Sequence, residues 1–128
     1  MHEFSMAQMA VSRILEIARE NKAKRISSVK FVIGDLTFLN IDQLRFSIEL
    51  LSKGTMMEGC ELSFERERLR IRCRNCGFEG ETKYEGEEYH TPKILELTLS
   101  LKCPKCGSLD VDILSGRAFL IKSVRMVV

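Results

Sequence analysis

No run of apolar residues in this 128-residue chain approaches the roughly 18 that a membrane-crossing helix needs, so a membrane-spanning role is not expected. The first residues, MHEFSMAQMA, lack a basic stretch followed by an apolar one, so they do not read as a secretory signal. A formal net charge of +2 is too small to argue for nucleic acid by itself. There is no GxxxxGK[ST] phosphate loop, no GxSxG elbow and no HExxH helix, and only two histidines are available for general-base work. No catalytic constellation remains, and the expectation is a protein that is not an enzyme. What is present is ordinary globular material: 45% hydrophobic and 30% charged residues, enough to build a core and too apolar for a disordered chain. A cytoplasmic protein is expected. In that reducing compartment five cysteines, four of them in CxxC pairs, point to metal rather than to disulfides.

Apolar residues at Phe4, Ala7, Val11, Ile14, Leu15 and Ala18 recur at helical spacing and predict a first helix over 3–21. Residues 26–33 read as a strand, with Val29, Phe31 and Ile33 on one face. A second helix should start at Asn40, capped with Gln43 three residues on, bury Ile41, Leu44, Ile48 and Leu51, and stop at Lys53-Gly54. Residues 60–69 read as a further strand. Leu95, Leu97, Leu99 and Leu101 alternate with polar residues as in a half-buried strand. A short strand is expected near Val111 and Ile113. Residues 117–127 read as a final strand, apolar on both faces at 118–121 as a central strand would be. The expected fold is α+β, with two helices packed on a small mixed three-stranded sheet and an inserted zinc-ribbon-like four-cysteine domain. The boundaries expected are 1–70 plus 115–128 for the α+β domain, and 71–114 for the insertion.

The insertion is marked by CRNCG at 73–77 and CPKCG at 103–107. Each CxxC turn can aim two thiolates at one ion, so Cys73, Cys76, Cys103 and Cys106 would complete a tetrahedral four-sulfur shell for zinc. Gly77 and Gly107 follow the second cysteine of each pair, where the turn requires positive φ. Such a shell leaves no open position for water, so the zinc is expected to be structural. The segment holds too few apolar residues to fold without it. Four free thiols or two local disulfides are the bland alternatives. Cys60 belongs to no pair and reads as a half-buried strand thiol.

The second constellation is Met1-His2-Glu3. A histidine at position 2 can place its imidazole, its backbone nitrogen and the amine of Met1 around one ion in nearly planar fused rings, a shell suited to nickel(II) or copper(II). Glu3 would add an oxygen or orient the imidazole. Against this stands the plain reading of a solvated terminal histidine. The chain as a whole resembles the HypA family of nickel metallochaperones. The resemblance rests on the MHE start, VKFVIGDLTFLN, LSKGTMMEGCELSF, CRNCG, CPKCGS and SGRAFLIKSVRMV, in that order. It implies zinc on the four cysteines and weak, reversible Ni(2+) cargo on His2 with the Met1 amine and Glu3. It also implies a HypB-type GTPase as partner and the large subunit of a [NiFe] hydrogenase, or in some members urease, as client. A homodimer is a further expected assembly. His90, in EEYHTP, is a candidate extra nickel ligand by similarity to archaeal-type members with a long loop; the competing reading is a solvated loop histidine.

The alternative function is a zinc-ribbon nucleic-acid-binding module. It draws on Arg66, Arg68, Arg70, Arg72 and Arg74, at alternate positions along one extended face. Glu61, Glu65 and Glu67 interrupt that series, and no aromatic residues for base stacking accompany it. Met6 and Met9 read as core or interface residues rather than soft-metal ligands.

Overall fold

The structure, a computed structural model, describes residues 2–83 and 101–128. His90 and most of the alternating leucine strand at 95–101 therefore lie outside the described residues. The elements are α1 (His2–Glu20), β1 (Arg25–Gly34), a 3-10 turn (Asp35–Thr37), α2 (Ile41–Ser52), β2 (Glu61–Glu67), β3 (Arg70–Cys73), β4 (Glu79–Glu81), β5 (Val111–Ser115) and β6 (Phe119–Val127). They fall into two compact units. The first comprises Met1–Ile33, Leu39–Glu65 and Phe119–Val128; the second comprises Gly34–Phe38 and Arg66–Ala118.

In the first unit α1 and α2 pack on a three-stranded sheet of order β2-β1-β6, with β1 and β6 antiparallel. The stripe Ala7, Ala10, Val11, Ile14 and Ala18 of α1 is buried because its members recur every three or four residues and so share one face. It meets Leu44 and Ile48 of α2 and Ile26, Val29, Phe31 and Ile33 of β1 in one core. Phe31 lies at the middle of that core. Its ring stacks on Phe64 at 5.1 Å and 10°, and meets Phe119 at 6.3 Å and 52°. The strand order sets these three rings side by side. Arg45 lies over Phe64, 4.8 Å from its centroid, and donates from Nη1 to the Leu62 carbonyl at 2.9 Å, tying α2 to β2.

Two strand expectations are corrected. The central strand is β1, not the last one: β6 is at the edge of the strand order, and its Leu120 is 54% exposed. The apolar pair Leu120 and Ile121 straddles the sheet without a second layer over Leu120. Residues 60–69 do not form one strand either. β2 ends at Glu67, and β3 begins at Arg70 in a different sheet. Cys60 precedes β2 and is half-buried against the core, and burial pushes its thiol up.

The second unit is built on an antiparallel sheet of order β4-β3-β5. Its described core is small: Leu69, Ile71 and Leu101 are buried, with Leu36, Phe78, Val111 and Ile113 packed against them. The turn after β1 contributes more than Leu36. Leu36 N donates to the Gly116 carbonyl at 2.7 Å, and Gly34 N donates to the Ala118 carbonyl at 2.6 Å. A Cβ at Gly34 would collide with the Gly116 carbonyl, so only glycine permits this approach. The Asp35 carboxylate accepts from Leu69 N at 2.9 Å and from Arg66 Nη1 at 3.3 Å. Glu67 Oε1 accepts from the Gly116 and Ala118 N–H groups at 2.6 and 3.3 Å. These carboxylates satisfy backbone donors where the sheet ladder has ended.

Candidate metal centre

Each cysteine pair sits on the same local hairpin. In the first, Cys73 N donates to the Phe78 carbonyl at 2.7 Å and Gly77 N donates to the Cys73 carbonyl at 3.1 Å. In the second, Cys103 N donates to the Ser108 carbonyl and Gly107 N to the Cys103 carbonyl, both at 2.9 Å. Gly77 and Gly107 have φ of 80° and 75°, the left-handed conformation expected of them from sequence. The tight turn aims N–H groups at sulfur: Cys76 N at Cys73 Sγ, and Cys106 N and Lys105 N at Cys103 Sγ, at 3.4–3.5 Å.

The structure brings all four sulfurs together, every pair within 4.8 Å. Cys73 and Cys103 are buried at 2% exposure each, while Cys76 and Cys106 face solvent. The Ser108 N–H and the Asn75 side chain, whose Nδ2 lies 3.7 Å from Cys106 Sγ, hold the Cys106 thiol down at about 6. At Cys76 the Phe78 N–H pulls downward, but burial and the three neighbouring sulfurs prevail and push it up to about 11. Four thiolates this close repel one another unless a cation sits among them. The donor set, all sulfur and turned inward on two knuckles, fits zinc. Asn75 and the Arg74–Asp112 pair, with Nε to Oδ2 at 3.0 Å, are not marked by the sequence. CxxC spacing says nothing of them, because their partners come from the other knuckle and from β5.

At the other candidate site, α1 begins at His2, which is exposed. The first N–H groups of a helix have no partner within it, so the His2 amide is not tied into the helical ladder. Glu3 is 9% exposed and turned inward, and its Oε1 accepts from Asn40 N at 3.1 Å. Asn40 in turn caps α2, its Oδ1 accepting from Gln43 N at 3.0 Å. The capping box read from sequence is thus half formed locally, and Glu3 of α1 takes the place at Asn40 N that Gln43 would have filled.

Burial alone would push the Glu3 carboxyl up; the positive amino terminus, the Asn40 N–H and its own backbone N–H outweigh it and hold it at about 2. A carboxyl depressed on folding stabilises the native state above its ordinary value of 4.5 and loses that contribution as pH falls through about 2. Thermal melts over acid pH should therefore show a flatter stability loss in Glu3→Gln than in the parent. Equal slopes would sink the assignment.

Four of the five arginines lie beside carboxylates, and Arg70 is exposed. Arg66 and Arg68 flank Asp35, Arg72 lies 3.4 Å from Glu79, and Arg74 pairs with Asp110 and Asp112. The break between β2 and β3 also removes the continuous strand that would have aligned them. Met6 packs on the core, while Met9 is 65% exposed.

Comparison with known proteins gives one consistent answer. A family profile described as hydrogenase/urease nickel incorporation, metallochaperone, hypA matches residues 1–126. The hydrogenase maturation factor HypA of Methanopyrus kandleri is 42% identical over 132 residues, covering 98% of this chain and 93% of that protein. The HypA of Pyrococcus furiosus is 34% identical over 133 residues, covering 97% and 94%. In fold, the solution structure of the nickel metallochaperone HypA from Helicobacter pylori matches with a TM-score of 0.60 at 19% identity, covering 98% of this chain and 97% of that one. With two helices on a small sheet, a four-cysteine cluster on paired knuckles and a family match along nearly its whole length, this chain belongs to the HypA family of hydrogenase and urease nickel-incorporation metallochaperones.

Proposed function

We propose that this protein carries Ni(2+) at its amino terminus and hands it, with a HypB-type GTPase, to the large subunit of a [NiFe] hydrogenase. The observation that carries the reading is the arrangement at the start of α1: an exposed His2 at the first position of the helix, beside a Glu3 held on Asn40. The Met1 amine, the His2 amide nitrogen and the His2 imidazole form the chelating set, a nitrogen-rich shell that suits planar nickel. Glu3 acts as a positioning residue, fixing the helix start from which the ligands project. The family description supports nickel as the cargo.

Zinc on Cys73, Cys76, Cys103 and Cys106 shapes the second unit and takes no part in carriage, because four thiolates close its coordination shell. The His2 imidazole is exposed and must be deprotonated to bind, so acid releases the cargo before it reaches the zinc sulfurs. Delivery needs no chemistry from this chain; nucleotide hydrolysis belongs to the partner, and both act in the cytoplasm. His90, outside the described residues, is proposed as an additional nickel ligand, and a homodimer as a further assembly.

Nickel titration by calorimetry tests this reading. A chain whose first residue is Met1 should bind one equivalent, and a chain with residues fused ahead of Met1 should lose that binding while keeping zinc, because the free amine is gone. Equal nickel binding by both forms would place the site elsewhere.

A further inference from the structure

The four cysteines are unequally sheltered, and the inequality has a pattern. Cys76 and Cys106, the second cysteine of each knuckle, are exposed; Cys73 and Cys103 are 2% exposed. The sulfur of each exposed cysteine has a close neighbour across the site: Cys76 Sγ lies 3.6 Å from Cys103 Sγ, and Cys106 Sγ lies 3.6 Å from Cys73 Sγ. A disulfide is about 2.05 Å long, so either cross-knuckle pair is within about 1.6 Å of bonding distance. Within a knuckle, by contrast, the N–H groups of Cys76 and Cys106 point at the sulfurs of Cys73 and Cys103, and closing CxxC on itself would disturb those turns.

We propose that the four-cysteine cluster is also an oxidation site, at which hydrogen peroxide couples Cys76 to Cys103 and Cys73 to Cys106 and so replaces the metal with two cross-knuckle disulfides. The sulfur of Cys76 or Cys106, as thiolate, attacks a peroxide oxygen, the O–O bond breaks, hydroxide leaves, and a sulfenic acid forms. The buried thiolate opposite then attacks that sulfur, the S–O bond breaks, and a second hydroxide leaves as the disulfide forms. Each disulfide thus consumes one peroxide and two protons, yields two waters, and oxidises two thiolates. With no thiolates left, the dication departs as the aqueous ion. The new bonds join the same two knuckles that the metal joined, so the second unit keeps its β4-β3-β5 sheet after metal loss.

Metal loss rests on the zinc reading; the pairing of the sulfurs does not. The sequence makes the test direct, because trypsin cuts after Arg72, Arg74, Lys102 and Lys105 and so leaves each of the four cysteines on its own peptide. The purified full chain is treated with stepwise hydrogen peroxide, released zinc is followed with a chromophoric chelator, and alkylated non-reduced digests are read by mass spectrometry. The expected result is loss of zinc in step with peptide pairs linking Cys76 to Cys103 and Cys73 to Cys106, with dimedone trapped on Cys76 or Cys106 at low peroxide. Recovery of zinc binding after thiol reduction should follow. Local CxxC pairs, dimedone on the buried sulfurs, or irreversible sulfinic products would overturn the proposal. A chain found free of zinc before oxidant is added would count against the zinc reading alone, since the peptide pairs would still report the connectivity.

Discussion

Cys73→Ala should release the zinc and melt the second unit while leaving the first folded. Among the described residues the buried apolar shell of this unit is three side chains, Leu69, Ile71 and Leu101, against fourteen in the α1–α2–β1 core. Structural zinc supplies on the order of 10–16 kcal/mol, roughly 3 kcal/mol per thiolate, so removing one ligand should weaken zinc about 100-fold. Cys73 is also the ligand whose backbone N–H and carbonyl close its own hairpin, through Phe78 and Gly77. Amide spectra should lose the dispersed signals of 70–83 and 101–115 and retain those of α1, α2 and β1. A variant that kept both its zinc and its β3–β5 signals would show that the cluster is not what holds this unit.

The second large effect concerns the cargo. His2→Ala should abolish the single equivalent of nickel binding and its planar, nitrogen-rich absorption, with zinc content and thermal stability unchanged. The imidazole is exposed, so its removal leaves no cavity, and the Glu3–Asn40 bond that secures the helix start is untouched. Losing the imidazole removes one chelate ring, and the remaining amine and amide cannot complete the plane. Undiminished nickel binding in this variant would end the amino-terminal reading.

The four-cysteine cluster and the helices are legible in the sequence because their signals are local. Two CxxC-Gly runs specify the knuckle turns wherever the chain takes them, and the 7-10-11-14-18 stripe of α1 needs only a core to face. What escapes is whatever depends on distant chain segments meeting. Residues 66–74 alternate as one strand would, yet the chain changes sheet at Arg68-Leu69, where Asp35 accepts the Leu69 N–H in place of a strand partner. The Gly34–Phe38 turn reads as an end to β1, and nothing in GDLTF announces that Leu36 packs with the cysteine unit. The apolar character of 118–121 suggests a central strand, but β1, with Val29, Phe31 and Ile33 all at 1% exposure or less, takes that place. From sequence Glu3 reads as a prospective oxygen ligand or as a residue orienting the imidazole. Its inward turn onto Asn40 is invisible without the tertiary fold, because the residues lie 37 apart.

That anchoring of Glu3 has a bearing on how a carrier gives up what it holds. A metal-binding tripeptide on a loose tail would have to be ordered at each loading and would relax at each release. Here the third residue is staked to Asn40 at the start of α2, so on the proposed reading loading would order only the residues ahead of it, and release would leave the helix as it was. A smaller ordering cost at each loading would strengthen the grip of so short a ligand set.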